Sequence, residues 1–152
     1  MAYPTLPAEG GCRCGGLRFR ITATPLMTTA CHCRGCQRMT GSAFSLSVMI
    51  PDDGFEVLQG ETVAGGADKT FGHRFCPDCL TWIWTQHPMM QGFHNLRSTM
   101  LDDPSWVRPY METFRSEGLP FVETSAVRSF PGFPAMEELP GLLGAYADWG
   151  RG

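Results

Sequence analysis

Three cysteines packed into Cys31-His32-Cys33-Arg34-Gly35-Cys36 constrain this chain more than any other stretch. Sulfurs at i, i+2 and i+5 serve neither a helical face nor a strand face, so packing does not account for them. A soft divalent metal does. Zn²⁺ takes thiolates at about 2.3 Å in a tetrahedron, which sets neighbouring sulfurs about 3.8 Å apart. The spacing predicts a tightly bent loop, with Gly35 supplying the bend. Such a loop fills three corners of the tetrahedron and leaves the fourth to be found elsewhere.

The other four cysteines come as close pairs, Cys12/Cys14 and Cys76/Cys79. Seven is an odd number, and disulfide frameworks of secreted proteins use even numbers at wider spacing. Close pairs point instead to metal. The start, Met1-Ala2-Tyr3-Pro4-Thr5-Leu6-Pro7, lacks the basic and apolar regions of a signal peptide, and no apolar run is long enough to span a membrane. The expected address is cytoplasmic. A net charge of −3 gives no general attraction to nucleic acid or to an anionic membrane. Neither is expected as a partner. With 152 residues, 43% hydrophobic and 18% charged, the chain is expected to form one domain over residues 1–152. Its motif-bearing core spans about 10–100, and a C-terminal wrap about 101–152.

Short alternating segments recur between turns. Leu17, Phe19 and Ile21 alternate with Arg18, Arg20 and Thr22. Residues 44–50 alternate again, 55–58 form a shorter run, and 93–99 one more. Leu80, Trp82 and Trp84 alternate with Thr81, Ile83 and Thr85, which predicts large residues on one face. Pro51-Asp52-Asp53-Gly54 and Gly65-Gly66 mark turns between them. No long 3.6-residue period appears before residue 100, so the class is mainly β and antiparallel. Past residue 100, prolines alternate with aromatics, as expected of a segment that wraps over a sheet. Leu139, Leu142, Leu143 and Tyr146 then predict a short C-terminal helix.

The seven sulfurs divide in two ways. Cys12, Cys14, Cys76 and Cys79 can close one four-thiolate site, leaving Cys31, Cys33 and Cys36 as a second site of three. In a flat strand Cys12 and Cys14 would sit about 6.5–7 Å apart, so their flanking glycines are needed to curl the backbone. Alternatively Cys33/Cys36 joins Cys76/Cys79 as a ribbon, but residues 37–75 make a longer insert than the usual 15–20 or so. The ribbon also strands Cys12, Cys14 and Cys31. The first division is favoured. The three-sulfur site is itself open to two readings: structural, with a fourth ligand among His32, His73, His87 or His94, or open to an outside molecule.

Taken together, Gly11-Cys12-Arg13-Cys14-Gly15, Cys31-His32-Cys33-Arg34-Gly35-Cys36-Gln37-Arg38 with Gly41-Ser42, and Phe75-Cys76-Pro77-Asp78-Cys79 resemble the glutathione-dependent formaldehyde-activating enzyme family. That family includes proteins similar to centromere protein V. The resemblance implies a complex antiparallel β-sheet sandwich stabilised by zinc. It implies a structural zinc on Cys12, Cys14, Cys76 and Cys79 and a catalytic, more labile one on Cys31, Cys33 and Cys36. The implied reaction adds the glutathione thiol to formaldehyde, giving S-hydroxymethylglutathione, and is classed with the carbon–sulfur lyases. Leu80 and Thr81 depart from the Gly-Ser that often follows the family's second cysteine pair.

Zn²⁺ with three thiolates carries a net charge of −1, so it suits binding a thiol better than polarising a bare carbonyl. Glutathione is anionic, and Arg34 and Arg38 are the first candidates to hold its carboxylates, with Arg13 and Arg74 behind. Ser42 and Phe44 are placed to line a pocket. A competing reading is a non-catalytic, zinc-stabilised module that binds a partner protein through its aromatic C-terminal third.

Overall fold

The computed structural model describes residues 3–152. Its strands begin with β1 (Ala8–Gly11), β2 (Arg18–Ile21) and β3 (Met27–Cys31), followed by helix α1 (Arg34–Thr40). Next come β4 (Ser45–Pro51), β5 (Phe55–Gln59), β6 (Val63–Ala64), β7 (His73–Phe75), β8 (Trp82–Thr85) and β9 (Phe93–Arg97). The C-terminal third adds β10 (Met111–Thr113), β11 (Arg128–Ser129) and helix α2 (Leu139–Arg151). No helix among the described residues is long and apolar enough to cross a membrane.

The strands build two sheets. A small antiparallel sheet runs β1-β2-β5, and a large one runs β11-β10-β3-β4-β9-β8-β7-β6. Leu17, Phe19 and Ile21 from the small sheet meet Val48, Ile50, Ile83, Trp84 and Leu96 from the large one in a shared core. Their arginine neighbours face outward, where Arg20 pairs with Glu9 at 2.7 Å and Arg18 with Asp102. Alternation along β2 therefore decides both the buried and the charged side of that sheet. The fold is the mainly β, multi-sheet architecture expected, with one short C-terminal helix.

Two local features depart from the pattern read in the sequence. Residues 111–113 do more than wrap: β10 pairs parallel to β3 and to β11, joining the edge of the large sheet. Helix α2 then covers that end, packing Leu142 and Tyr146 against Met27, Tyr110 and Met111 as a second core. The tryptophans of β8 do not share a face. Arg74 pairs with Trp84 while Phe75 pairs with Trp82, so Ile83 is the extra residue of a β-bulge. The bulge sends Ile83 and Trp84 together into the shared core and leaves all four residues of β8 buried.

Strand β4 is the element both halves use. Its Val48 and Ile50 point into the shared core, while Ser45 and Ser47 lie on the opposite face. That opposite face carries Cys31, paired across from Ser45, and Arg97, paired across from Ser47.

Candidate metal centres

Two groups of sulfurs come together, and they divide the seven cysteines as the favoured reading has it: Cys12, Cys14, Cys76 and Cys79 in one, Cys31, Cys33 and Cys36 in the other. Within each group the ligand atoms lie within 4.8 Å of one another, and no cysteine is in a disulfide. Cys12 and Cys14 sulfurs are 3.5 Å apart and Cys14 and Cys76 3.8 Å apart. Those separations match the edge of a zinc–thiolate tetrahedron, about 3.8 Å. Each cluster could hold a zinc ion by donor type and spacing.

Two tight turns make the four-sulfur group. After β1 the chain curls so that Gly15 N–H donates to Cys12 O at 3.1 Å, with Gly15 in the left-handed region at φ 78°. The β7–β8 turn is closed by Leu80 N–H donating to Cys76 O at 3.0 Å. Leu80 itself holds φ 58°, a conformation that favours glycine, and its side chain is 69% exposed. Thr81 follows with its hydroxyl 3.0 Å from the Cys79 sulfur. The Leu-Thr departure thus retains the hydroxyl but places a branched side chain at a strained backbone position. Leu17 N–H donates to the Cys12 sulfur at 3.3 Å, and Cys12 and Cys76 reach into the shared core.

The three-sulfur group is built differently. Cys31 ends β3, Cys33 is the N-cap of α1, and Cys36 lies in that helix's first turn, its N–H donating to the Cys33 sulfur at 3.3 Å. The expected bent loop is therefore a strand end running straight into a helix. Gly35 sits inside α1 and supplies no bend; the left-handed glycine is Gly41, which terminates the helix at φ 61°. Ser45 hydroxyl donates to the Cys36 sulfur at 3.1 Å. The Cys31 thiol is pulled down to about 5, first by hydrogen bonding from Cys36, whose own thiol is pushed up in turn.

None of the four histidines joins this group among the described residues. His32 points to the other face of the sheet, fully buried, with Nε2 2.9 Å from Glu112 Oε2. Thr124 hydroxyl donates to the same carboxylate oxygen at 2.8 Å. His73 bonds Thr85 at 2.8 Å, His94 bonds Asp52 at 2.9 Å, and His87 accepts from the Met89 N–H. No described histidine, cysteine or carboxylate supplies a fourth ligand atom to the cluster.

Arg34, Arg38 and Ser42 line one open cleft of about 590 Å³ beside α1, together with Gln37, Leu119 and Phe121. None of the three cysteines lines that cleft; Cys36 lies on the helix that walls it, Cys33 caps that helix and Cys31 ends the strand before it. Gln37 is the post that fixes the helix: its amide donates to His32 O at 2.6 Å and to Glu117 O at 2.9 Å. Its carbonyl also accepts from Arg34. Phe121, 81% exposed, gives the cleft an apolar wall. Arg13 and Arg74 lie elsewhere. Arg13 N–H donates to Thr81 beside the four-sulfur group, and Arg74 bonds Thr62. Phe44 packs against the His32 ring at 5.4 Å and is absent from the cleft.

The sequence reading overlooked Arg97. It is buried to 5% exposure on the sheet face that carries Cys31, with its guanidinium 4.1 Å over the Trp82 ring. Burial pushes its pKa down to about 10, against the attraction of Cys36 and Cys31, so it is charged at neutral pH. Residues 93–99 carried no sequence signal that this arginine is buried.

Comparison with known proteins adds a family. A family model described as glutathione-dependent formaldehyde-activating enzyme matches residues 7–117, a span that takes in all seven cysteines and reaches through β10. A crystal structure of a Rhodobacter sphaeroides protein, a structural genomics target, is similar at 17% identity and a TM-score of 0.47. It covers 62% of this chain and 87% of that one. No curated protein matches.

Proposed function

The chain belongs to the glutathione-dependent formaldehyde-activating enzyme family, and from that premise we propose that it adds a thiol, glutathione or one like it, to formaldehyde or another small aldehyde. The observation that carries this reading is a three-sulfur cluster with no fourth protein ligand among the described residues, held partly by the helix whose Arg34 and Arg38 line a cleft. In the addition a carbon–sulfur bond forms and the thiol proton ends on the former carbonyl oxygen; nothing is oxidised or reduced.

A zinc ion held by Cys31, Cys33 and Cys36 would supply coordination of the incoming thiol as its thiolate. The chain's own side chains supply the rest. Arg34 and Arg38 offer the cationic anchors that a carboxylate-bearing thiol requires, and Ser42 adds a hydroxyl to the same lining. Gln37 keeps α1 seated against the strand ends, so the cleft and the cysteines hold one relative position. Holding two reactants together accelerates an addition that also occurs unaided. Cys12, Cys14, Cys76 and Cys79 take the structural role: their cluster is closed by its own four sulfurs. All seven thiols are free, which supports a reducing, cytoplasmic setting.

The test is adduct formation from glutathione and formaldehyde by the purified zinc-loaded protein. Cys33→Ser is expected to lower the rate to the uncatalysed background while the circular dichroism spectrum is kept. Arg34→Ala with Arg38→Ala is expected to raise KM for glutathione about tenfold, with kcat little changed. An unchanged rate in Cys33→Ser would refute the reading. The exposed Phe121, Phe133 and Met136 favour a partner-binding module as the second reading. Metal content separates the two: two zinc ions, one of them exchanging when thiol is added, support the enzyme, and a single inert ion supports the module.

A further inference from the structure

Two side chains of fixed formal charge are buried among the described residues, Glu112 and Arg97. Glu112 has its partners: His32, Thr124 and, at 4.0 Å, Arg115. Arg97 has no carboxylate within ion-pairing distance among the described residues. Its Nη2 donates to Asn95 O at 2.9 Å, its plane lies over Trp82, and its buried Nε has no partner. A desolvated cation–π contact contributes about 2 kcal/mol. Removing a guanidinium from water costs several, so one contact and one hydrogen bond leave a deficit that an opposite charge must offset.

Strand register identifies where that charge is. Arg97 lies opposite Ser47, and Ser47 lies opposite Thr29. The next row on the same face is Ser45, Cys31 and Thr113. Rows on one face of a sheet are about 6.5–7 Å apart, within the reach of an arginine side chain. Serine, threonine and Met111 fill the remaining places, so among the described residues the acids of these two rows are the Cys31 thiol and that of Cys36, bonded to Ser45. Attraction to those two sulfurs works against the burial of Arg97.

We propose that Arg97 is the buried counter-ion of the three-sulfur centre, and that its charge sets how tightly that centre holds its metal. The proposal rests on the reading that Cys31, Cys33 and Cys36 bind a divalent ion. Three thiolates and a divalent cation sum to −1, and Arg97, itself buried, brings the total to zero from the sheet side of a half-buried centre. The four-sulfur group needs no such device, because Cys14 is exposed and solvent screens its charge. Trp82 becomes a positioning residue: the bulge in β8 turns it to the Arg97 face, where it holds the guanidinium flat.

Graded competition by a chromophoric chelator tests this on the zinc-loaded protein, with zinc released per chain as the readout. The wild-type protein is expected to give up one zinc early and the other late. Arg97→Met is expected to release the early zinc at about ten- to hundredfold lower chelator, with the late one unmoved. Arg97→Lys, which keeps the charge, is expected to recover most of the difference. Equal release by wild type and Arg97→Met overturns the proposal, as does an Arg97→Lys curve identical to that of Arg97→Met, which would assign the effect to shape. A wild-type protein that carries one zinc only removes the metal reading itself, a result distinct from either. Should Arg97→Met fail to fold, the wild-type protein answers by nitrogen–proton correlation: the Arg97 Nε signal is expected to shift on loss of the early zinc, and a signal that stays put overturns the proposal.

Discussion

The two sulfur groups are made of the same atoms by opposite routes. The four-sulfur group draws Cys12 and Cys14 from a turn after β1, and Cys76 and Cys79 from a turn before β8. It exists only when residues far apart in the chain have met. The three-sulfur group comes from one continuous stretch, where β3 ends and α1 begins. Its ligands are nearly in place once that junction forms. A cluster assembled across the fold returns its binding energy to the fold, whereas a cluster assembled locally can lose its metal and leave the fold standing. The proposed function rests on that difference, giving one group the task of holding the molecule together and the other the chemistry.

The strongest way to break this comparison is to remove one sulfur from each group. Cys76→Ser is expected to cost about 3 kcal/mol or more in denaturant unfolding, or to prevent folding altogether. Cys33→Ser is expected to cost no more than about 1 kcal/mol, since the residue is half-buried at a helix cap. Equal losses would dissolve the distinction. A finer probe lies in the second turn of the four-sulfur group. Leu80→Gly relieves a left-handed backbone at an exposed position and is expected to stabilise the protein by about 1 kcal/mol, read as a rise in melting temperature. If it destabilises, the turn is not strained.

The smallest effect separates the shared core from the sulfurs in acid. His94 stacks on Phe55 at 4.0 Å, and burial lowers its pKa below the ordinary histidine value despite Asp52 beside it. The folded state therefore prefers the neutral ring. Its contribution is fully present above the unfolded value of about 6.5 and is lost as pH falls through that value toward the folded one. His94→Gln is expected to flatten the stability profile between about pH 7 and pH 5 by a few tenths of a kcal/mol. A profile unchanged by the substitution would remove His94 as a source of acid sensitivity.

Much of this was legible in the chain because spacing is itself a physical constraint. The favoured grouping of seven cysteines rested on spacing, since the ribbon alternative needs an over-long insert and strands three sulfurs, and Phe19 and Ile21 announced a buried face by alternation. The junction at Cys33 did not read as a helix start, because a seven-residue helix gives too short a period to see and its cap is a cysteine serving as an acceptor. The β8 bulge was invisible, since one inserted residue leaves the alternation of Trp82 and Trp84 intact in sequence while reversing it in space. Parallel pairing of β10 was hidden as well: Met111–Thr113 is three residues long, and its partner β3 lies far upstream. Arg97 escaped because its significance comes from Ser47 across the ladder, a neighbour that only register reveals.

Strand β4 carries a consequence for anyone who would redesign the molecule. Val48 and Ile50 serve the apolar interior, and Ser45 and Ser47 serve the sulfur side, on alternate positions of one ribbon. A single residue inserted ahead of Ser45 would swap the two sets, sending valine and isoleucine toward the thiols and hydroxyls into the oil. The sulfur side and the apolar interior are thus written on two sides of one page, and neither can be re-edited by shifting the text without erasing the other.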